Sequence, residues 1–438
     1  MTDLGDIAAG DALHDAAPDK PRPSPGDVAP EHYRFDLHPG YRAAKAIEAE
    51  LFSGHVANPY FRVIDEVAGA TIKIGSRTFI NYANYNYLGL SGDPRVSAAA
   101  IAAIERYGTS VSASRLVAGE RPFHRALESE IADFLGVEDA VAFVSGHATN
   151  VTVIGHLFGR KDLVLHDSLI HNSVLQGCLL SGAKRITFPH NDWAALDRIL
   201  ASVRRDFEKV LIVVEGVYSM DGDIPDLPRF VEIRNRYKAI LMVDEAHSLG
   251  VVGKTGRGLS EHFGVPATDV DIWMGTLSKA LASCGGYVGG CQALVTYLRY
   301  TAPGFLFSVG LSPPDAASSL AALGIMRDEP QRVADLQARA RLFLDSAKRA
   351  SLKTGRSQGS AVVPVVVGDS RRALLLSQRL FDHGIFALPI VHPAVPSSQA
   401  RVRFFLTSLH TPDQIEFTIR TLTEAISACS EFGPTAET

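Results

Sequence analysis

From residue 140 onward the chain alternates short apolar runs with longer stretches of helical periodicity. The runs are "AVAFVSG" (140–146), "DLVLHD" (162–167), "KRITFPH" (184–190), "VLIVVEG" (210–216), "AILMVDEAH" (239–247), "DIWMGTLSK" (271–279) and "YVGG" (287–290). Short apolar runs separated by helix-length spacers predict a mostly parallel sheet covered on both faces. The fold class is therefore α/β.

Ahead of this region, "TIKIGSRTFINYANYNYLGL" (71–90) alternates apolar and polar positions around Gly75, which predicts a hairpin. Behind it, Pro313 and Pro314 in "LSPPDAASS" open a long helical stretch. A strand at "AVVPVVVG", a helix ending near Gly384, a strand at "VRFFLTS" and a last helix follow. The last helix starts at "TPDQ", with Thr411 as N-cap, Pro412 at the first helical position and Gln414 completing a capping box. The expected organisation is a leader at 1–32, an N-terminal arm at 33–75, a large domain at 76–310 and a smaller C-terminal α/β domain at 311–438. No internal repeat is found.

Composition narrows the classes of function. The 438 residues are 46% hydrophobic and 21% charged, ample for a buried core. The net charge of −5 gives no basic field for nucleic acid or an anionic membrane, so no nucleic-acid partner is expected. Cys178, Cys284, Cys291 and Cys429 are scattered, without a CxxC pair, and imply neither a disulfide framework nor a zinc site. The first twenty residues carry five aspartates and lack the charged and apolar regions of a signal peptide. Proline punctuation then continues to Pro30, as in a leader that cannot order itself. No apolar run has the length of a membrane span, and a cytoplasmic location is expected.

Open α/β sheets bind ligands beyond the carboxyl ends of their strands, and polar residues collect there. "VSGHATN" ends a strand and begins a helix, which aims the amides near Gly146 and His147 at an anion such as phosphate. "LMVDEAHSLG" puts Asp244 and His247 just past an apolar strand, where a carboxylate needs a cationic partner. "EGVYSMDGD" brings Ser219 to the same crevice, with Glu215 as an orienting group and Asp221 to Asp223 as turn formers. "LIHNSV" adds His171, and "GTLSKALASCGGYVGG" adds Lys279 between Thr276, Ser278 and a glycine-rich run.

Each of these has an ordinary structural explanation alone; their company changes the picture. An aldehyde held as a Schiff base by lysine, a pyridine nitrogen facing Asp and a phosphate on backbone amides require this set, and the cofactor that combines them is pyridoxal 5'-phosphate (PLP). Two other motifs are set aside. "GKT" (253–255) has Ser248 where a phosphate-binding P-loop needs glycine, and "NVT" (150–152) matters as a glycosylation signal only in a secreted protein.

The segments "VDEAHSLGVVGKTGRGLSEHFG", "TLSKA", "SGHATN", "NYNYLGL", "SRLVAGERPFHRALE", "EGVYSMDGD" and "RVRFFLTSLHTPDQI" resemble the α-oxoamine synthase family of fold-type I PLP enzymes, from about residue 60 to the end. The resemblance implies that Lys279 carries the cofactor and moves the α-proton, that Asp244 pairs with the pyridinium nitrogen, and that His247 bonds the ring hydroxyl. It implies that His171 stacks on the ring, that Ser219 lies near the ring hydroxyl, and that Thr276, Gly146 and His147 serve the phosphate. His147 stands where family members usually carry Phe or Tyr. Ser308, in "FLFSVGLSP", would reach the phosphate in the neighbouring subunit of a homodimer with shared active sites. Arg403 would grip the amino acid carboxylate, with Asn86 also toward the substrate.

The implied reaction is a decarboxylative Claisen condensation of a small amino acid with an acyl thioester on coenzyme A or an acyl carrier protein. "YNY" before "LGL" and the arm are similar to serine palmitoyltransferases, which favours serine with a long-chain acyl donor. "SRLVAG" is closer to 8-amino-7-oxononanoate synthases, and "VHPAVP" with "RVRFF" to synthases of polyketide or lipid pathways. Glycine- or alanine-using members therefore stay open, as do an aminotransferase of the same fold and an inactive partner subunit.

Overall fold

The structure is a computed structural model that describes residues 28–52 and 58–430; the expected leader, apart from its last five residues, lies outside the described residues. Residues 1–58 and 59–438 form two compact units. The first contains a short 3-10 turn at Pro30–His32 and a helix at Pro39–Leu51. Everything below concerns the second.

Its strands are β1 (Thr71–Ile74), β2 (Arg77–Asn81), β3 (Asp139–Phe143), β4 (Leu163–Asp167), β5 (Lys184–Phe188), β6 (Val210–Glu215) and β7 (Ile240–Asp244), then β8 (Ile272–Thr276), β9 (Gly286–Gly290), β10 (Val362–Val366), β11 (Ile385–Phe386), β12 (Leu388–Ile390) and β13 (Arg401–Phe405). The seven-stranded sheet has the order β3-β9-β8-β7-β6-β4-β5. Pairings among β5, β4, β6, β7 and β8 are parallel, and β9 runs antiparallel to both β8 and β3. The sheet is large and mostly parallel, as the expected α/β class requires.

Successive side chains of a strand point to opposite faces, and here both faces are dry. Ile212 and Val214 of β6 enter one apolar cluster, while Leu211 and Val213 enter the other. Full burial of such a side chain stabilises by about 1.5–3 kcal/mol, which explains why the runs show no polar alternation. In the central strands β6, β7 and β8 the first polar side chain comes at the carboxyl end, as Glu215, Asp244 and Thr276, whereas the edge strand β5 exposes Lys184, Arg185 and Thr187. The site therefore gathers at one edge.

The hairpin forms as its alternation predicts, with Thr71 opposite Ile80 and Gly75 at φ +59° in the turn. It is completed by a distant segment, since β2 pairs in parallel with β11. The third sheet, β10-β13-β12, is antiparallel and carries Arg403 on its central strand. After it, the helix Pro412–Ser430 begins with the expected capping box. Thr411 Oγ1 accepts from the Gln414 amide at 3.2 Å, and Gln414 Oε1 accepts from the Thr411 amide at 3.0 Å. Among the described residues no helix is long and apolar enough to cross a membrane.

Candidate active site

A cavity of about 250 Å³ opens at the carboxyl ends of the parallel strands. Gly146, His147, His171, Asp244, His247, Thr276 and Lys279 all line it, together with Asn150, Ser173, Glu215, Ser278 and Cys284. A larger cavity of about 420 Å³ lies where β6, β7 and β8 begin and contains none of these groups.

One wall is the start of the helix Gly146–Leu157, capped by Ser145. Its unpaired amides face the cavity, and the helix dipole adds positive potential there. The glycine at its first position is required by packing. A Cβ on Gly146 would lie 2.8 Å from Thr276 Oγ1, and one on Gly286 would lie 2.7 Å from Gly146 Cα. Thr276 Oγ1 donates to the Gly285 carbonyl at 2.9 Å and lies 2.7 Å from Ser278 Oγ, so two hydroxyls stand beside the helix start.

Asp244 ends β7 and is held on both oxygens. Asn150 Nδ2 donates to Oδ2 at 2.8 Å and the Ala246 amide to Oδ1 at 2.9 Å. Asn150 also donates to Ser173 Oγ at 2.9 Å, and Ser173 Oγ lies 2.7 Å from His171 Nδ1. One hydrogen-bonded line thus runs from Asp244 to His171. The rings of His171 and His147 meet edge-on at 6.2 Å.

Burial governs the ionisation of the site. It lowers Lys279 from 10.5 to about 8, although Asp244 and Glu215 pull upward; Arg403 adds to the lowering. Burial raises Glu215, the register neighbour of Asp244, to about 8, and the Asp244 charge adds to the rise. Glu215 Oε1 is buried without a hydrogen-bond partner. His247 is pushed far below the ordinary histidine range, first by burial and then by Lys279 and Arg403. His171 is lowered too, chiefly by burial. Both imidazoles are neutral at pH 7.

An aromatic frame fixes the remaining groups. Tyr87 Oη is 2.7 Å from His247 Nδ1, and the His247 ring stacks with Phe405 at 6.2 Å. Tyr85 meets His247 and Phe405 edge-on, and Lys279 Nζ sits 5.4 Å from its ring centre. The Arg403 guanidinium lies over Phe405 at 4.5 Å and donates to the Ser219 carbonyl at 2.8 Å. Its Nε is buried without a partner.

Four expected residues lie outside the cavity lining, Arg403 among them. Ser219 is outside the cavity lining and meets Arg403 through its backbone. Asn86 spends its side chain on backbone groups, donating to the Ala68 carbonyl ahead of β1 at 3.1 Å and accepting from the Ser91 amide at 3.2 Å. Ser308 is half-buried, with its hydroxyl on the Val309 carbonyl at 3.2 Å. Asp221 and Asp223 do more than form a turn: Asp221 pairs with Arg401 at 2.8 Å and Asp223 with His190 at 2.7 Å.

Sequence reasoning passed over Asn150, noticed only as part of a glycosylation signal. Its spacing held the clue, because position i+4 from Gly146 returns to the face of the helix that meets the cavity. Tyr87 and Phe405 gave no chemical signal, since they act by packing and by one hydrogen bond.

The profile of the aminotransferase class I and II family matches residues 77–422. A serine palmitoyltransferase of Bacteroides ovatus is 36% identical over 387 residues, 88% of this chain and 98% of that protein. An 8-amino-7-oxononanoate synthase of Symbiobacterium thermophilum is 41% identical over 360 residues, 82% of this chain and 90% of that protein. A solved serine palmitoyltransferase with PLP superposes with a TM-score of 0.85 at 29% identity, covering 89% of this chain and 98% of the other.

The donor set fits PLP: a desolvated lysine, a fixed carboxylate, neutral imidazoles and a helix start flanked by hydroxyls, with buried polar atoms such as Glu215 Oε1 left unpartnered beside them. The chain belongs to the class I and II aminotransferase family and, within it, to the α-oxoamine synthases, the PLP-dependent acyltransferases of fold-type I.

Proposed function

We propose that this enzyme condenses serine with a long-chain acyl thioester, carried on coenzyme A or an acyl carrier protein, with loss of carbon dioxide. The observation that carries the reading is the convergence of Lys279, Asp244, His171 and His247 on one cavity beside the Gly146 helix start. Serine is favoured by the fuller match to the serine palmitoyltransferase, which extends over 98% of its length.

When bound, PLP supplies an aldehyde for amino groups and a protonated ring that takes up the charge left by loss of the α-proton. Lys279 would hold the cofactor, and its free amine would take the substrate α-proton and return it, work suited to an amine lowered to about 8. Asp244, fixed by Asn150 and the Ala246 amide, would pair with the ring nitrogen. The amides at Gly146 and His147, with the Thr276 hydroxyl, hold the phosphate. His171 would cover the ring. Tyr87, kept protonated by burial, would donate to His247 Nδ1 and leave Nε2–H to meet the ring hydroxyl, while Ser219 acts at one remove by anchoring Arg403 through its carbonyl. Arg403 binds the amino acid carboxylate, while Asn86 fixes the loop that carries Tyr85 and Tyr87.

In the condensation the amino acid α-carbon forms a bond to the thioester carbonyl. The C–S bond breaks with release of the thiol, and the carboxylate leaves as carbon dioxide. Ser308 completes the phosphate site of a second subunit, so the unit of function is a homodimer in the cytoplasm. Residues 76–310 act as the PLP-binding domain and 311–438 as the smaller domain that carries Arg403.

The higher identity to the 8-amino-7-oxononanoate synthase supports a second reading, with alanine and a shorter acyl group. Visible absorption of the PLP-loaded protein, titrated with serine, alanine and glycine separately, tests both. A saturable shift with serine and none with alanine supports the first reading; the reverse supports the second, and no shift with any of the three overturns both.

A further inference from the structure

We propose that His190 is a positioning residue for the reaction: its ring ties together the ends of β4 and β6 and so fixes the loop bearing His171 and the loop anchoring Arg403. The inference rests on the roles of His171 and Arg403 given above.

β5 is an edge strand, and β4 separates it from β6. His190, just beyond β5, nevertheless reaches both. Its Nδ1 lies 2.9 Å from Asp167 Oδ1, at the end of β4, and its Nε2 lies 2.7 Å from Asp223 Oδ2, in the loop after β6. All three side chains are buried, with exposures of 5%, 0% and 4%. Asn191 doubles the tie through its backbone amide to Asp167 Oδ2 at 2.7 Å and its side chain to Asp223 Oδ2 at 2.9 Å. The Tyr218 ring meets His190 edge-on at 4.5 Å. The titratable groups facing His190 are therefore Asp167, Asp223 and Tyr218.

A carboxylate on each ring nitrogen calls for a proton on both. Burial opposes the charge, but the hydrogen bonds to Asp167 and Asp223 outweigh it and raise His190 to about 9. The crosspiece is an imidazolium at neutral pH, and its charge-assisted bonds are stronger than neutral ones.

Each carboxylate then sets a loop. Asp167 Oδ1 also accepts from the Leu169 amide at 2.8 Å, turning the chain toward His171. The Asp223 carbonyl accepts from the Tyr218 amide at 3.0 Å and closes the loop 218–223. Within that loop Ser219 receives Arg403, and Asp221 pairs with Arg401. His190, Asp167 and Asp223 do not line the cavity, so any influence on the amino acid travels through these loops.

The test uses full-length, PLP-loaded protein and the variants His190→Gln and Asp223→Asn. Backbone hydrogen exchange at 168–171 and 217–222 should rise together by about tenfold in His190→Gln, with β7 unchanged, as expected for loss of a charged hydrogen bond. The dissociation constant of whichever of serine, alanine or glycine binds should rise about tenfold, with a smaller change in kcat. Because the folded pKa is raised, the clamp is intact below the ordinary histidine pKa and is lost as pH rises through about 9. Asp223→Asn should move that loosening to lower pH.

Loosening of one loop alone, or a lower melting temperature with exchange and amino acid affinity as in wild type, overturns the inference. If His190→Gln does not fold, Asp223→Asn decides, because it keeps the Asp167 contact. A wild-type protein that binds none of the three amino acids refutes the proposed function, while the exchange data still decide the clamp.

Discussion

The ionisation of Lys279 can be tested through the rate at which the cofactor-free protein captures PLP. Only the free amine attacks an aldehyde, so the rate follows the unprotonated fraction. With the amine near 8 rather than 10.5, about a tenth is free at pH 7 instead of about 0.03%. The two cases separate most clearly at high pH. Between pH 8.5 and 9.5 an amine near 8 gains only about 1.3-fold in free base, whereas an ordinary lysine gains about ninefold. Stopped-flow absorbance after mixing with PLP should therefore show a rate that levels off above pH 9. Lys279→Ala should abolish the lysine-linked band. A rate still climbing about tenfold per pH unit at 9.5 would refute the argument that burial has lowered this amine.

The same shift has a cost in stability. Since the folded pKa lies below the unfolded one, ionised Lys279 destabilises the cofactor-free fold below pH 8, by an amount on the order of 3 kcal/mol that fades between 8 and 10.5. Lys279→Met should raise the melting temperature of the cofactor-free protein at pH 7, and the gain should shrink at pH 10. Arg403→Ala should weaken the amino acid-induced spectral shift by about 10- to 100-fold in dissociation constant while the fold is kept, as loss of a charge-assisted carboxylate contact requires. Asn150→Ala should lower PLP affinity by about tenfold, because it removes the donor that fixes Asp244 Oδ2; equilibrium dialysis reads this directly.

Much of this arrangement was legible in the residues, and the reason is geometric. Buried parallel strands have to be apolar throughout, so the first polar side chain after each run marks where the sheet ends and the site begins. Asp244, His171, Thr276 and Lys279 could be read in this way. Groups that act across the fold could not. The partner of β2 lies some three hundred positions away at β11, and nothing local in "EGVYSMDGD" tells that Asp221 meets Arg401 or that Asp223 meets His190. Asn86 illustrates the opposite error: its position in "NYNYLGL" was informative, but its amide is consumed by the Ala68 carbonyl ahead of β1 and the Ser91 amide. Pattern locates side chains relative to their own element; only the packed structure reveals what they meet.

Decarboxylative acyl transfer releases carbon dioxide, thiol and amino ketone in a fixed ratio, and that stoichiometry is measurable. Carboxyl-labelled serine and palmitoyl-coenzyme A would be incubated with the PLP-loaded enzyme, and labelled carbon dioxide, free thiol and amino ketone counted together. One of each should appear per turnover, and none with Lys279→Ala. Consumption of serine to a keto acid, with its label retained and no thiol released, would contradict it.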